Sequence, residues 1–130
     1  MAKTLFLIFN HQFTAAQDQD ARSSLGVDRI VPLPPDMQRL WSAIPPELPE
    51  ISDYLDPIRD WILTNARPGD YVLIQGDFGA CYLMARFAEE KGLVPIYSTT
   101  RREALEEPQP DGSVRLTHRF EHQMFRRYGR

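Results

Sequence analysis

The sequence predicts an α/β fold in which a mainly parallel sheet is flanked by helices and carries a C-terminal antiparallel β-hairpin. Short apolar runs without polar alternation indicate strands that are buried on both faces. Segments with helical spacing separate these runs, and this alternation favours a parallel sheet with right-handed crossovers. Near the end of the chain, a Pro-Asp-Gly turn between two extended segments is typical of a hairpin.

The first half of the chain is predicted to contain two strands and three helices. In order, these are a strand over 4–9, a helix over 14–25, a strand over 28–33, a helix over 34–44 and a helix over about 52–66. Thr14 and Gln17 form a capping box at the start of the first helix, and Gly26 supplies its stop. The proline-rich segment 44–49 is a stiff connector, because the segments on either side are too small to fold alone. We therefore expect one domain over residues 1–130.

The second half is predicted to complete the sheet and add the hairpin. The elements are a strand over 71–75, a helix over 78–91, a strand over 93–97 and a hairpin extension over about 102–125. The second arm of the hairpin alternates, so every second side chain along it is predicted to share one face. These side chains are Val114, Leu116, His118, Phe120, His122 and Met124.

Composition limits the class of protein. Cys81 is the single cysteine, which excludes an intramolecular disulfide and indicates a cytoplasmic location. The apolar run Leu5–Phe9 is too short for a membrane span or a signal-peptide core. A net charge of −3 argues against a protein that coats long nucleic acids. The last thirty residues are nevertheless basic, either because they bind a small anion such as a nucleotide or because they form a solvated tail.

Three polar segments follow predicted strands, and they mark the predicted ligand site. They are Asn10–Gln12, Gly76–Gly79 and Ser98–Arg102. In open α/β sheets, ligands bind beyond the carboxyl ends of the strands, at one edge of the sheet. We therefore expect these three loops to meet around one ligand.

The segment Gly76-Asp77-Phe78-Gly79 has two interpretations. Its Asp-Phe-Gly triplet also occurs in protein kinases, but the other kinase motifs are absent and the chain is too short for a kinase domain. As a junction between a strand and a helix, it can present backbone N–H groups to a phosphate, or Asp77 to a ribose or adenine. Alternatively, Gly76 permits a tight turn and Asp77 caps the following helix.

The histidines and arginines also have more than one interpretation. His11 suits a general acid or a stabiliser of a phosphoryl transition state, or it makes only a local hydrogen bond. Arg101 and Arg102 suit phosphate oxygens, or they are solvated. His118 and His122 are four residues apart on a predicted strand, which is too far for a compact metal site, and their role is left open. No metal and no cofactor are expected.

Several segments resemble a known family. The segments LFLIFNHQFT (5–14), SLGV (24–27), LPPDMQRLWSAIPPEL (33–48), GDYVLIQGDFGACYLM (69–84) and PIYSTTRRE (95–103) are similar to a small stand-alone ring nuclease family of type III CRISPR systems. The resemblance implies a domain similar to the CRISPR-associated Rossmann-like (CARF) fold, acting as a homodimer. It also implies that the dimer binds a cyclic oligoadenylate second messenger, most often the four-membered ring, and cuts it to end the antiviral response.

The implied reaction needs no metal. The ribose 2′-hydroxyl attacks the adjacent phosphate and leaves a linear product with a 2′,3′-cyclic phosphate. From loop position, the expected catalytic residues are His11, Arg101 and Arg102. The expected ligand-binding residues are Asn10, Gln12, Gly76, Asp77, Phe78, Gly79, Ser98, Thr99 and Thr100. The alternative is a module of the same fold that binds and sequesters the messenger without cutting it. The sequence leaves open the preferred ring size and which arginine contacts the phosphate.

Overall fold

The computed structural model describes residues 2–130 and contains one five-stranded sheet. Its strands are β1 (Lys3–Phe9), β2 (Val27–Pro32), β3 (Tyr71–Gln75), β4 (Val94–Pro108) and β5 (Val114–Arg127). Its α-helices are α1 (Ala15–Ser24), α2 (Pro35–Ser42), α3 (Asp56–Asn65) and α4 (Phe78–Glu90), and a 3₁₀ turn over Asp53–Leu55 precedes α3. Among residues 2–130, no helix has both the length and the apolar content needed to span a bilayer.

The strand order is β2-β1-β3-β4-β5. The first four strands pair in parallel, and β5 pairs antiparallel with β4. This confirms the predicted α/β fold with a mostly parallel, Rossmann-like sheet and a C-terminal hairpin. The connection from β1 leads to β2 at one edge of the sheet, and the connection from β3 leads to β4 in the opposite direction along the strand order. The carboxyl ends of β1 and β3 therefore flank a topological switch point, where sheets of this kind bind ligands.

Two apolar layers hold the helices against the sheet. On one face, α1 packs through Ala21 onto side chains such as Leu7 and Ile96. On the other face, α2, α3 and α4 pack through residues such as Trp41, which is 2% exposed, onto the alternate side chains of the same strands. All of β1 from Thr4 to Phe9 is buried, which explains its continuous apolar run.

The start of α1 follows the predicted capping box. Thr14 Oγ1 accepts a hydrogen bond from the Gln17 backbone N–H at 3.2 Å, and Gln17 Oε1 accepts one from the Thr14 N–H at 2.9 Å. Gly26 then reverses the chain with a φ of 69°, a conformation that glycine adopts without strain. These local signals fix where α1 begins and ends, and hence which of its residues face the edge of the sheet.

The predicted loop over 98–101 is wrong, because these residues belong to a strand. β4 continues from Val94 to Pro108, and the ladder with β5 begins at the Ile96–Arg127 pair. The antiparallel partner supplies hydrogen bonds throughout this polar stretch, so it remains extended. The expected break between a strand over 93–97 and a hairpin from residue 102 does not occur.

The predicted common face of β5 is confirmed up to His122 and is wrong for Met124. A bulge between Thr99 and Thr100 leaves Gln123 without its own partner on β4. The extra residue reverses the alternation, so His122 and Phe125 lie on the same face of the sheet and Met124 lies on the other. Beyond the bulge, the hairpin leaves the sheet as a two-stranded projection, which we call the hairpin arm (101–120).

Candidate functional site

A cavity of about 550 Å³ lies at the carboxyl edge of the sheet, on the face that carries α1. We call it the rim cavity. Its lining consists of polar side chains and two phenylalanine rings. The lining residues are Phe9, His11, Gln12, Thr14, Gln17, Gln75, Ser98, Thr100, Phe120 and His122. Four of the predicted site residues, His11, Gln12, Ser98 and Thr100, are therefore brought together.

Each lining side chain is placed by a different part of the fold. His11 and Gln12 follow β1, at the switch point, and the His11 ring packs edge-on against Phe9 with ring centroids 5.6 Å apart. Gln75 is the last residue of β3, and its Oε1 accepts a hydrogen bond of 2.6 Å from the Ser98 backbone N–H. This bond ties the end of β3 to the middle of β4.

The electrostatic character of the rim cavity favours an anion. No aspartate, glutamate, lysine or arginine belongs to its lining in the described part of the chain. The lining includes two imidazoles, His11 and His122. Hydroxyl and amide groups supply the remaining hydrogen-bond donors. A phosphate in this cavity would therefore meet donors directly, while the Asp20 carboxylate lies outside the lining, behind His122.

One wall of the rim cavity contains a Ser–His–Asp array, in which the Asp20 side chain is 23% exposed. His122 Nδ1 lies 2.6 Å from Ser98 Oγ, and His122 Nε2 lies 2.7 Å from Asp20 Oδ2. The His122 side chain is 6% exposed, and Ser98 is 8% exposed. Gln17 Nε2 donates a further hydrogen bond of 3.3 Å to Ser98 Oγ. The array thus joins α1, β4 and β5 beneath the cavity surface.

The protonation of this array follows from its partners. The Ser24 hydroxyl, and then the His122 ring, hold the pKa of the Asp20 carboxyl below its ordinary value. An ionised Asp20 can only accept, so Nε2 of His122 carries a proton. In the neutral ring, Nδ1 is then the acceptor, and the Ser98 hydroxyl donates to it. This tautomer is the one that orients a hydroxyl toward a base.

Sequence reasoning missed Gln17 and Asp20 and left His122 without a role. Gln17 was assigned only to the helix cap, although it also contacts Ser98. Asp20 and His122 are 102 residues apart in the chain, so no local pattern joins them. The one available signal is that Gln17 and Asp20, three residues apart, lie on the same side of a helix.

The predicted loop Gly76–Gly79 does not join the rim cavity. Gly76 and Phe78 line a separate cavity of about 630 Å³ on the opposite face of the sheet, which we call the aromatic cavity. Its other walls include Tyr82, Tyr97 and Tyr128. The three predicted segments therefore share one edge of the sheet but not one pocket, and Gln75 is the one residue among 2–130 that lines both cavities.

The geometry of Gly76–Gly79 fits the tight turn and cap. A Cβ on Gly76 would lie 2.8 Å from Trp41 Nε1, so the indole ring occupies the space of a side chain. Asp77 accepts a hydrogen bond of 3.0 Å from the Ala80 N–H and thereby caps α4. Phe78 is 95% exposed at the start of α4. Burial raises the pKa of the Cys81 thiol, which keeps it protonated beside this junction.

The remaining predicted residues lie outside the lining of the rim cavity. Arg102 is on the same side, with its guanidinium carbon 5.8 Å from the centre of the Phe120 ring and hydrogen bonds to His118. Arg101 lies opposite Glu121 in the register of β4 and β5, on the other face of the hairpin. Thr99 is also on that face, where its hydroxyl donates to the Met124 carbonyl at 3.2 Å. Asn10 is exposed to solvent.

The histidines of the hairpin are held by different partners. His118 lies beside Arg102 on the arm, whereas His122 is bound between Ser98 and Asp20. Across residues 2–130, no three or more His, Cys, Asp or Glu side chains are grouped closely enough to bind a metal ion.

Comparison with known proteins identifies the family. The family model described as "Uncharacterized protein MJ1673 family" matches residues 3–126. The chain is also 48% identical over 124 residues to "Uncharacterized protein MJ1673" of Methanocaldococcus jannaschii, and the match covers 95% of each chain. No solved structure gives a significant match. The chain therefore belongs to the MJ1673 family.

Proposed function

We propose that this protein binds and cleaves cyclic oligoadenylate at the rim cavity, as a metal-independent ring nuclease. The observation that carries the proposal is the lining of this cavity, which combines two imidazoles, hydroxyls, amides and two phenylalanine rings without a carboxylate. The five sequence segments that resemble a ring nuclease family support the same reaction. Cleavage of the ring would remove the messenger of a type III CRISPR response.

The lining suits the parts of such a ligand. Phe120 is 64% exposed and can stack on an adenine, while Gln12 and Gln75 offer amide groups to its edge. The Thr100 hydroxyl can donate to a ribose or phosphate oxygen, and the Ser98 hydroxyl can accept from a ribose hydroxyl. Arg102, beside Phe120, adds a positive charge at the cavity entrance and is the better placed of the two predicted arginines.

The reaction requires alignment and transfer of two protons. The ribose 2′-oxygen attacks the neighbouring phosphorus in line with the departing 5′-oxygen, and the fixed donors stabilise the charge of the crowded phosphate. His11 is exposed, and its ring packs against Phe9, so it can reach the departing oxygen and protonate it. The products are a 2′,3′-cyclic phosphate and a free 5′-hydroxyl.

The proposed protein works as a homodimer. Cyclic tetra-adenylate has two-fold symmetry, and an isologous dimer presents the same loops to both halves of such a ring. Each rim cavity would then hold one half of the ligand. In this proposal, the edge of the sheet beside the cavity is formed by Gly76, Asp77, Phe78 and Gly79. These residues do not line the cavity itself.

Incubation of the purified protein with cyclic tetra-adenylate in EDTA, followed by chromatography, tests the proposal. We expect linear products that end in a 2′,3′-cyclic phosphate. Binding, measured in parallel by calorimetry, separates the alternatives. Tight binding of a ring that stays intact would refute the nuclease and support a sequestering module. The absence of binding would refute both functions.

The role of His11 can be tested in the same assay. We expect His11→Ala to lower kcat by about 100-fold or more and to change Kd by less than about threefold, because a general acid acts mainly in the transition state. Gln19→Ala, an exposed change on α1, is the control and should retain wild-type activity. Equal losses of binding and turnover in His11→Ala would contradict the assignment.

A further inference from the structure

We propose that Ser98 is a catalytic residue, which takes the proton from the attacking ribose hydroxyl and passes it to His122, with Asp20 holding that ring. This inference rests on the proposed ring-nuclease function and names the base that the function requires. Ser98 is the group that touches the substrate. His122 acts through it by accepting the proton, and Asp20 is a positioning residue that holds the His122 ring.

The first support is the geometry of the array. A hydroxyl, a base and an orienting carboxylate within hydrogen-bond reach of one another form the arrangement that activates a hydroxyl in enzymes. Here the two contacts are 2.6 Å and 2.7 Å, and both involve the imidazole of His122. The carboxylate of Asp20 is fixed in turn by the Ser24 hydroxyl. The three groups come from α1, β4 and β5, so the fold itself holds them in place.

The second support is the hydrogen-bond capacity of Ser98. A hydroxyl has one donor and two acceptor positions. Its hydrogen is directed at His122 Nδ1, at 2.6 Å, rather than at the Thr99 carbonyl, which is 3.4 Å away. One acceptor position receives Gln17 Nε2. One acceptor position remains, and Ser98 lines the rim cavity, so this position is available to a ribose hydroxyl.

The same geometry argues against Ser98 as the nucleophile of an acyl transfer. Its backbone N–H, which would stabilise an oxyanion in a serine hydrolase, already donates to Gln75 Oε1 at 2.6 Å. The Ser98 side chain is also nearly buried. A relay of protons requires only contact with a substrate hydroxyl, whereas a covalent step requires access to a carbonyl carbon and its oxyanion.

The proposed step balances as follows. The ribose 2′-hydroxyl gives its proton to Ser98 Oγ while the Ser98 hydroxyl proton moves to His122 Nδ1. The 2′-oxygen electron pair forms the new bond to phosphorus, and the bond from phosphorus to the 5′-oxygen breaks with its electron pair on oxygen. That oxygen takes a proton from the His11 imidazolium. His122 ends as an imidazolium beside the Asp20 carboxylate, and exchange with solvent restores both histidines.

A substrate with a different leaving atom distinguishes residues that activate the attacking hydroxyl from the residue that protonates the leaving oxygen. We would compare cyclic tetra-adenylate with an analogue in which sulfur replaces each bridging 5′-oxygen. A thiolate leaves without protonation, because a thiol is a far stronger acid than an alcohol; the cysteine thiol, for example, has a pKa of about 8.5. We expect Ser98→Ala and His122→Asn to lower kcat by about 100-fold on both substrates. His11→Ala should be slow on the oxygen substrate and close to wild type on the sulfur substrate.

The controls distinguish this role from folding or binding. Ser42→Ala removes an exposed hydroxyl on α2, which donates to the Gln38 carbonyl at 2.8 Å, and should leave both rates unchanged. Melting curves show whether each variant folds, and calorimetry gives Kd, which should change less than about threefold. If His122→Asn does not fold, Ser98→Ala, which removes fewer atoms, decides the matter alone.

Two results would overturn the inference while leaving the ring nuclease intact. One is full activity of Ser98→Ala on the oxygen substrate. The other is a defect of Ser98→Ala that disappears with the sulfur leaving group, since the array would then assist the leaving oxygen. Failure of the wild-type protein to cleave either substrate would instead refute the proposed function, and the inference with it.

Discussion

Packing against Trp41, rather than contact with a ligand, requires a glycine at position 76. The indole ring of Trp41 lies 2.8 Å from the position of a Cβ on Gly76, and its Nε1 donates to the Gln75 carbonyl at 2.9 Å. Trp41 is almost fully buried and cannot move aside without disturbing the core. We expect Gly76→Ala to lower the free energy of unfolding by about 1–3 kcal/mol, as overpacking does. Urea unfolding followed by circular dichroism measures the change.

Gly79→Ala is the matched control for that experiment. A Cβ there meets only Asp77 Oδ2 at 3.5 Å and Ile51 Cδ1 at 3.7 Å, which are ordinary contacts. Because Gly79 lies in the first turn of α4, alanine should leave stability unchanged or raise it by up to about 1 kcal/mol. Equal effects of the two changes would show that Trp41 does not determine the residue at position 76.

Asp20 gives stability a pH dependence. Hydrogen bonds from Ser24 and then His122 lower its pKa below the ordinary value of 3.8 in the folded protein. A lowered folded-state pKa adds stability that is complete above the unfolded value and is lost as the pH falls through the folded value. We expect Asp20→Asn to lower the free energy of unfolding by about 1–3 kcal/mol at pH 7, because it weakens a charged hydrogen bond to the nearly buried His122 side chain. The difference from wild type should shrink below pH 4.

Asp18→Asn is the comparison for Asp20. Asp18 lies on the same helix and pairs with Arg22 at 2.8 Å, but both side chains are nearly half exposed. An exposed pair of this kind contributes about 0.5 kcal/mol or less. Urea unfolding at pH 7 and pH 3 distinguishes the two. An equally small effect of both changes at pH 7 would mean that the bond between His122 and Asp20 adds no stability.

Much of the rim cavity was predictable residue by residue, because its members follow strand ends. His11 and Gln12 follow a buried strand, and Ser98 and Thr100 follow the last apolar residues of another. The contacts of Asp20 were not predictable, since its partner lies 102 residues further along the chain. Sequence patterns report which side chains share an element, not which distant elements meet.

At the scale of elements, the hairpin arm is the least supported part of the structure. Leu105, Val114 and Leu116 on the arm are 42%, 57% and 57% exposed. An isolated two-stranded hairpin is only marginally stable in water. We expect the amides of 103–119 to exchange with deuterium on the order of 100-fold faster than those of β1 and β3, because local opening there disrupts little packing.

The base of the same hairpin provides the internal comparison. Residues 96–99 and 124–127 belong to the same two strands but lie within the sheet, where Phe125 is buried. Their amides should be protected like those of β3. Uniform protection along the whole hairpin would contradict the expectation and would show that another surface covers the arm in solution.

The elements themselves were predicted well where one helix or strand carries its own signal. The capping box of α1 and the buried run of β3 required no tertiary information. The sequence Ser98-Thr99-Thr100-Arg101, in contrast, is polar and suggested a loop. Its extended form depends on the facing strand, and the bulge at Thr99 is a property of the pair. Neither is encoded in the local sequence alone.

At the scale of the molecule, the sheet order decides which polar groups meet. The order β2-β1-β3-β4-β5 places the ends of β1 and β3 beside the middle of β4, so the three predicted polar segments do share one edge. Side chains alternate between the two faces of a sheet, however, and this divides the groups between the rim cavity and the aromatic cavity. Gln75 belongs to both and links their positions.

One chain provides one rim cavity with a single His11 and a single Ser98–His122–Asp20 array. Cyclic tetra-adenylate has two-fold symmetry and therefore two equivalent halves. Two chains related by a two-fold axis can bind these halves with identical contacts. We expect calorimetry with cyclic tetra-adenylate to give one ring per two chains, and light scattering to give twice the mass of a single chain. Linear di-adenylate, which represents half of the ring, should bind once per chain and more weakly, because linking two binding halves raises the effective concentration of the second. A single-chain mass together with one ring per chain would exclude the symmetric dimer and confine the whole ligand to one cavity.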